Sequence, residues 1–268
     1  MTRRSFLPRL LALLLLLTVF ALNGSFIVAA DKSPIKVLFV GNSYTYGNNM
    51  PALVTAMAEA KGVKLSTQKS TAGGVTLEDH INGKKNLQTL KLIEEGKFDY
   101  VVLQDQSMRP AVEPEKTLEF VAKMSAKVNK SGAVPCLYLT WARENNPPMQ
   151  QKLNATYFKA AKDNQTLLAP VGLAWEQVRQ KHPEIKLFAK DGSHPNPLGS
   201  YLIATVFFTT LTDVSPVGLP ADLRSKSRLG TSKILVKINP KQASIVQKIA
   251  NDTVKQWKSR SASTKSSP

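Results

Sequence analysis

The stretch Val37-Leu38-Phe39-Val40-Gly41-Asn42-Ser43-Tyr44-Thr45-Tyr46-Gly47-Asn48 decides how this chain is read. Four consecutive apolar residues behind Lys36 predict a strand buried on both faces, as in a parallel sheet covered by helices. Gly41 breaks the strand, and Asn42 and Ser43 turn the chain toward a segment that begins near Pro51. Ser43 is thereby placed at the carboxyl end of a parallel strand, where open α/β sheets bind their ligands. It also precedes a helix, whose free N–H groups favour a developing negative charge. Both features suit a nucleophile. The same residues also describe a plain strand-to-helix turn whose serine satisfies backbone donors.

Beyond this stretch, strand and helix signals alternate. Ala52–Lys61 has helical periodicity and stops at Gly62, and Val63–Thr71 reads as a strand closed by Ala72-Gly73-Gly74. Leu77–Glu95 reads as one helix stopped by Gly96, Phe98–Gln104 as the third strand, and Pro114–Lys130 as a helix. Val134–Thr140 is the fourth strand, Met149–Asn164 a helix, and Thr166–Val171 a fifth, weaker strand. This order predicts an α/β fold of three layers, α/β/α, around a five-stranded parallel sheet with right-handed connections. No internal repeat or long linker divides it, so one domain is expected.

The two ends read differently from the body. Arg3 and Arg4 precede the apolar run Leu10–Leu22, and Val28-Ala29-Ala30 supplies small residues for cleavage. Residues 1–30 therefore read as a secretory signal peptide, the run being short for a membrane anchor. A secreted or periplasmic protein with no membrane span after cleavage follows. The folded domain is assigned to 31–260, with 261–268 as a disordered tail. The chain has 36 basic and 19 acidic residues. From Ala221 onward, eleven basic residues face only Asp222 and Asp252. Such an end either binds an anionic polymer or is simply solvated. Asn239 and Pro240 suit the cap and first position of a helix. Ile245, Val246, Ile249, Ala250, Val254 and Trp257 then share one face, with Lys241, Lys248 and Lys255 in a row outside. Cys136, the single cysteine, lies in an apolar strand and excludes an intramolecular disulfide.

Three further motifs carry polar groups to the expected strand ends. Gly73 and Gly74 follow the second strand, where glycine lets backbone N–H groups approach a ligand or simply makes a turn. Gln104 and Gln106 end the third strand, share a face and offer side-chain amides to an oxyanion, or to backbone. Asp191-Gly-Ser-His194-Pro195 places an aspartate three residues before a histidine. Folded back, Asp191 would hold one imidazole nitrogen and aim the other outward as a base. A proline-rich polar turn is the alternative. His80 and His182 have no such partner, and the histidines and cysteine show no zinc spacing, so no metal is expected. No G-x-G-x-x-G or Walker sequence supports a nucleotide cofactor, and no nucleic-acid partner is indicated.

Taken in order, Gly-Asn-Ser, the glycine pair, the amide after strand three and Asp-x-x-His-Pro resemble the SGNH (GDSL-like) hydrolase superfamily. The likeness is to its branch with Gly-Asn-Ser-Tyr-Thr in place of Gly-Asp-Ser-Leu, and runs from Lys36 to about Pro220. It implies a flavodoxin-like sheet and a serine ester hydrolase without cofactor. Ser43 would be the nucleophile, His194 the base and Asp191 its partner. The oxyanion hole would comprise the N–H groups of Ser43 and Gly74 (or Gly73) and a side-chain amide. The usual Gly-x-Asn-Asp is replaced by Gln-Asp-Gln-Ser, so Gln106 is expected to donate, with Gln104 as the alternative. The expected substrate is a small-molecule or polysaccharide ester with a short acyl group, acetyl included. A non-catalytic glycan-binding protein on the same scaffold is the reading from another class.

Overall fold

A computed structural model describes residues 33–226 and 232–263. The proposed signal peptide, 1–30, lies outside the described residues, as does the chain beyond Ser263. The first half runs β1 (Ile35–Gly41), α1 (Ser43–Tyr46), α2 (Met50–Ala60), β2 (Leu65–Thr71), α3 (Leu77–Ile81) and α4 (Thr89–Glu95). Then come β3 (Tyr100–Leu103), α5 (Arg109–Val112), α6 (Pro114–Lys130), β4 (Val134–Tyr138), α7 (Met149–Asp163) and β5 (Leu167–Ala169). The chain ends with α8 (Val171–Lys181), α9 (Pro197–Thr212), β6 (Asp222–Lys226), β7 (Ser232–Lys237) and α10 (Pro240–Ser263).

The central sheet has five parallel strands in the order β2-β1-β3-β4-β5. This is the flavodoxin-like doubly wound order, whose ligand crevice opens where β1 and β3 diverge. Alternation along β1 divides the core. Val37 and Phe39 face a layer containing α2, α8, α9 and α10, while Leu38 and Val40 face one containing α3, α4, α6 and α7. All four side chains are fully buried. Each such burial contributes about 1.5–3 kcal/mol against the entropy of ordering the chain.

The expected single helix over Leu77–Glu95 is instead two. Asn82 ends α3, and Gly83, Lys85 and Asn86 adopt left-handed backbone before α4 begins. Four elements carried no sequence expectation: α1, which begins at Ser43 itself, the short α5, the helix α8 directly after Pro170, and the antiparallel hairpin β6–β7. The basic C-terminal segment is therefore a hairpin followed by a helix. Asn239 caps α10 by accepting from the N–H groups of Lys241 and Gln242. Val246, Ala250 and Val254 are buried against the body, and Trp257 stacks on Phe158 of α7 at 4.7 Å. Lys241, Lys248 and Lys255 are exposed, whereas Lys258 pairs with Asp213 at 2.7 Å. The helix continues past residue 260, where the domain was expected to end. Among the described residues no helix is long and apolar enough to cross a membrane.

Candidate active site

The end of β1 is held from below. His80 is buried in α3 and reaches the Gly41 carbonyl through Nε2 at 3.1 Å, while Thr89 meets its Nδ1 at 2.7 Å. Nε2 must donate to that carbonyl, which places the acceptor role on Nδ1. Burial pushes the His80 pKa down, which keeps the ring in this neutral form. Gly41 has no room for a side chain: a Cβ would lie 2.4 Å from both Gln104 Oε1 and Thr45 Oγ1. Next, Asn42 is buried and satisfied on all sides. Its N–H donates to Gln104 Oε1, its Oδ1 accepts from the Tyr44 N–H, and its Nδ2 donates to the Val75 carbonyl. The nucleophile turn is thus built by polar groups, each buried one being paired.

Ser43 is the first residue of α1, and its Oγ lies 2.8 Å from His194 Nε2. His194 Nδ1 lies 2.5 Å from Asp191 Oδ2. Asp191 also folds back through Oδ1, which accepts from the N–H groups of Ser193 and His194. These bonds, the one from the His194 ring first, hold its carboxyl down at about 2. The loop is pinned from within by Trp141 Nε1, which donates to the Ser193 carbonyl, and by the Tyr44 hydroxyl against Ser193 Oγ. Asn48 donates to the Pro195 carbonyl and to Ser200 Oγ, tying the nucleophile segment directly to the histidine loop. Ser43, His194 and Asp191 therefore form one hydrogen-bonded line, with Asp191 about half exposed.

The two glutamines separate. Gln104 is fully buried beneath the nucleophile turn. Its Oε1 accepts from the Asn42 N–H and the Thr45 hydroxyl, and its Nε2 donates to the Asp105 carbonyl. It does not reach the cleft, which corrects the expectation that it is an alternative oxyanion donor: a buried acceptor was needed there. Gln106 is half-buried at the surface of the crevice. Its Oε1 accepts from the N–H groups of Met108 and Arg109, and among the described residues its NH2 group has no protein acceptor. Between them, Asp105 points the other way and braces the glycine loop. It accepts from the N–H groups of Leu77 and Gln106 and from the Thr117 hydroxyl. Burial pushes its carboxyl pKa up, and these donors pull against that.

The Gly73-Gly74 loop completes the crevice. Gly74 has φ of 71°, a left-handed conformation that favours glycine, and a Cβ on Gly73 would sit 3.5 Å from the Tyr46 hydroxyl. Among the described residues neither glycine N–H, nor that of Ser43, has a protein acceptor. Sequence reasoning assigned no role to Tyr44, Asn48, His80, Trp141 or Arg143. Tyr44 and Asn48 left a signal by lying in the opening stretch, Tyr44 within the Gly-Asn-Ser-Tyr-Thr motif.

No family model matches the chain, and no curated protein does so. Solved structures do. A protein from Slackia heliotrinireducens assigned to the SGNH hydrolases is 28% identical with a TM-score of 0.60, covering 67% of this chain and all of its own. A DUF4886 family protein from Bacteroides uniformis is 19% identical with a TM-score of 0.65, covering 83% of this chain and 95% of its own. An acetyl xylan esterase shares the fold at 18% identity and a TM-score of 0.55, covering 65% of this chain and 98% of its own. With a five-stranded parallel sheet flanked by helices, the chain shares the fold of these SGNH hydrolases and is similar in sequence to the Slackia protein.

Proposed function

We propose that this protein is an exported serine esterase that removes short acyl groups, acetyl included, from carbohydrates. The observation that carries the mechanism is the line Ser43 Oγ–His194 Nε2–Asp191 at 2.8 and 2.5 Å. Ser43 Oγ attacks the ester carbonyl as His194 Nε2 takes its proton, and Asp191 stabilises the imidazolium. His194 then returns the proton to the alcohol oxygen, the C–O bond breaks, and an acyl-serine remains. Water, deprotonated by His194, attacks that acyl group and releases the acid and free Ser43. The negative oxygen formed in each half is met by the N–H groups of Ser43 and Gly74, with the Gln106 amide as third donor.

The substrate class rests on exposure and on likeness. His194 and Asp191 are 42% and 49% exposed at the side chain. A site open to that degree accepts a bulky alcohol such as a sugar in a polymer, and an acetyl group needs no deep acyl tunnel. The structural similarity to an acetyl xylan esterase supports the same reading. Labelling of the purified protein with a fluorophosphonate probe tests it: the adduct is expected on Ser43 and absent from Ser43→Ala. An unlabelled wild-type protein favours a glycan-binding role instead.

Export belongs to the proposal through Arg3, Arg4 and the Leu10–Leu22 run. Protein recovered from the native host should begin at or near Asp31, as read by N-terminal sequencing. Intact Met1 on membrane-embedded protein contradicts cleavage. The exposed row Lys241, Lys248 and Lys255 supports an anionic polymer as the natural carrier of the ester. Accordingly, kcat/KM on esters of an acidic polysaccharide should fall as salt rises, and change little for a small neutral ester. Screening over about 10 Å at 0.1 M weakens only the long-range attraction. Changing the three lysines to Gln should flatten the salt response. Identical responses for both substrates, before and after that change, refute a role for the row.

A further inference from the structure

We propose that Arg143 is an anion-binding residue beside the nucleophile, and that the preferred esters carry a carboxylate on the alcohol, a few bonds from the ester oxygen. The inference rests on the ester-hydrolase reading above and narrows its substrate.

Arg143 lies in the loop after β4, and its contacts span both sides of the site. Its guanidinium sits over the Tyr44 ring at 5.9 Å, and Tyr44 follows the nucleophile. Its Nη2 donates to Ser107 Oγ at 3.0 Å, and Ser107 follows Gln106. Its Nε approaches Met108 Sδ at 3.5 Å. Every one of these partners is neutral. Among the described residues no carboxylate pairs with Arg143, and three of its five N–H groups have no protein acceptor. Nearby Arg109 shows the contrast: it is buried and neutralised by Glu78 at 2.5 Å, with Asp105 at 4.0 Å. The other acids close to the loop are unavailable or turned away. Asp191 is committed to His194, and among the described residues Glu144 forms no ion pair with its neighbour, its Oε2 lying 3.4 Å from where a Cβ on Gly192 would stand.

The cation is also held in place. Tyr44 is stacked on Trp141 at 4.4 Å with the rings nearly parallel, and its hydroxyl is tied to Ser193. The ring that carries the guanidinium therefore cannot swing aside. The same ring meets His194 edge-on at 5.4 Å. His194 must deliver its proton to the departing alcohol oxygen, so the alcohol lies along the His194–Tyr44 wall, the one that Arg143 covers. A planar guanidinium with free donors matches a carboxylate as a fork, and half-burial strengthens the pairing relative to open water. A neutral alcohol leaves those donors to water.

The test compares phenyl acetate with 3- and 4-acetoxybenzoate, esters that differ by the carboxylate alone, on the mature wild-type protein, Arg143→Gln and Arg143→Lys. Wild type is expected to favour an acetoxybenzoate. Arg143→Gln should lower the acetoxybenzoate-to-phenyl-acetate ratio of kcat/KM by about 10- to 100-fold, mainly through KM, the range of one charge-assisted hydrogen bond. Arg143→Lys, which keeps the charge and loses the fork, should recover part of the ratio. If Arg143 only braces the Ser107–Met108 turn, both esters decline together and the ratio stays put, which overturns the proposal. Failure of the wild-type protein to hydrolyse any of the three overturns the ester-hydrolase reading itself, and shows before any substitution is made.

Discussion

Ser43→Ala and His194→Ala are each expected to lower kcat on a short acyl ester by up to about 10⁶-fold, and the double variant should be no worse than either single one. Members of such a line act as a unit, because a base without a nucleophile, or the reverse, supplies almost none of the joint effect. The 2.8 Å contact between Ser43 Oγ and His194 Nε2 is what makes the proton transfer direct. Asp191→Asn should cost about 10⁴-fold, since an amide at that place favours the wrong tautomer of the imidazole. The sign of the pH effect follows from the Asp191 carboxyl, held down at about 2 by the His194 ring and the two backbone donors. A depressed carboxyl contributes its stabilisation above the ordinary aspartate range and loses it as pH falls toward 2. Asp191 thus stays ionised at any ordinary assay pH, and an acid limb of the rate profile well above pH 2 belongs to another group. Circular dichroism on each variant separates lost chemistry from lost fold. Near-wild-type turnover by Ser43→Ala would exclude it as the nucleophile.

Gln106→Ala should lower kcat by about 10²–10³-fold, the usual cost of removing one oxyanion donor. Alanine also removes the acceptor used by Met108 and Arg109, so Gln106→Glu is the sharper variant. It keeps an oxygen for those N–H groups, takes away the donor and adds a negative charge beside the developing oxyanion. Gln106→Glu should therefore lose at least as much kcat as Gln106→Ala, with little change in KM for a neutral ester. Gln104→Ala should behave differently. It strips the acceptor from the buried Asn42 N–H and Thr45 hydroxyl, at about 1–3 kcal/mol for each group left unpaired. Its first symptom should be a lower melting temperature. Full turnover by Gln106→Glu removes Gln106 from the oxyanion hole.

Much of this scaffold could be read from residues 35–169 because local signals there agree with tertiary demand. Val37–Val40 is apolar enough to be buried on both faces, and Pro114–Lys130 begins and ends where its proline and following glycine say it should. The reading failed where local pattern was weak or misleading. Leu77–Glu95 has helical periodicity on either side, but left-handed Gly83, Lys85 and Asn86 break it, and the turn pair Asn82-Gly83 that marks the break was passed over for the periodicity. Only Pro170 separates the end of β5 at Ala169 from the start of α8, so the helix's first residue, Val171, was absorbed into the strand signal. Strand β6 is Asp-Leu-Arg-Ser-Lys, with a single apolar residue to carry a period of two. In the site, the aspartate–histidine pair was legible since both lie in one tetrapeptide. The distinction between Gln104 and Gln106 was not: strand alternation puts both on one face, and only the closeness of Gly41 and Thr45 determines which is sealed in.

That tetrapeptide has a bearing on how the protein acquires its activity. Asp191 and His194 find each other by local turning, whereas Ser43 and His194 are 151 positions apart in the chain. Two of the three groups are thus ready early, and the third arrives only when β1 and the approach to α9 have docked. Contacts of such long range carry the loop-closure entropy that slows folding. Recovered turnover during refolding therefore reports a long-range contact of the domain, and a chain with full helical signal but no β1–α9 docking would be inert.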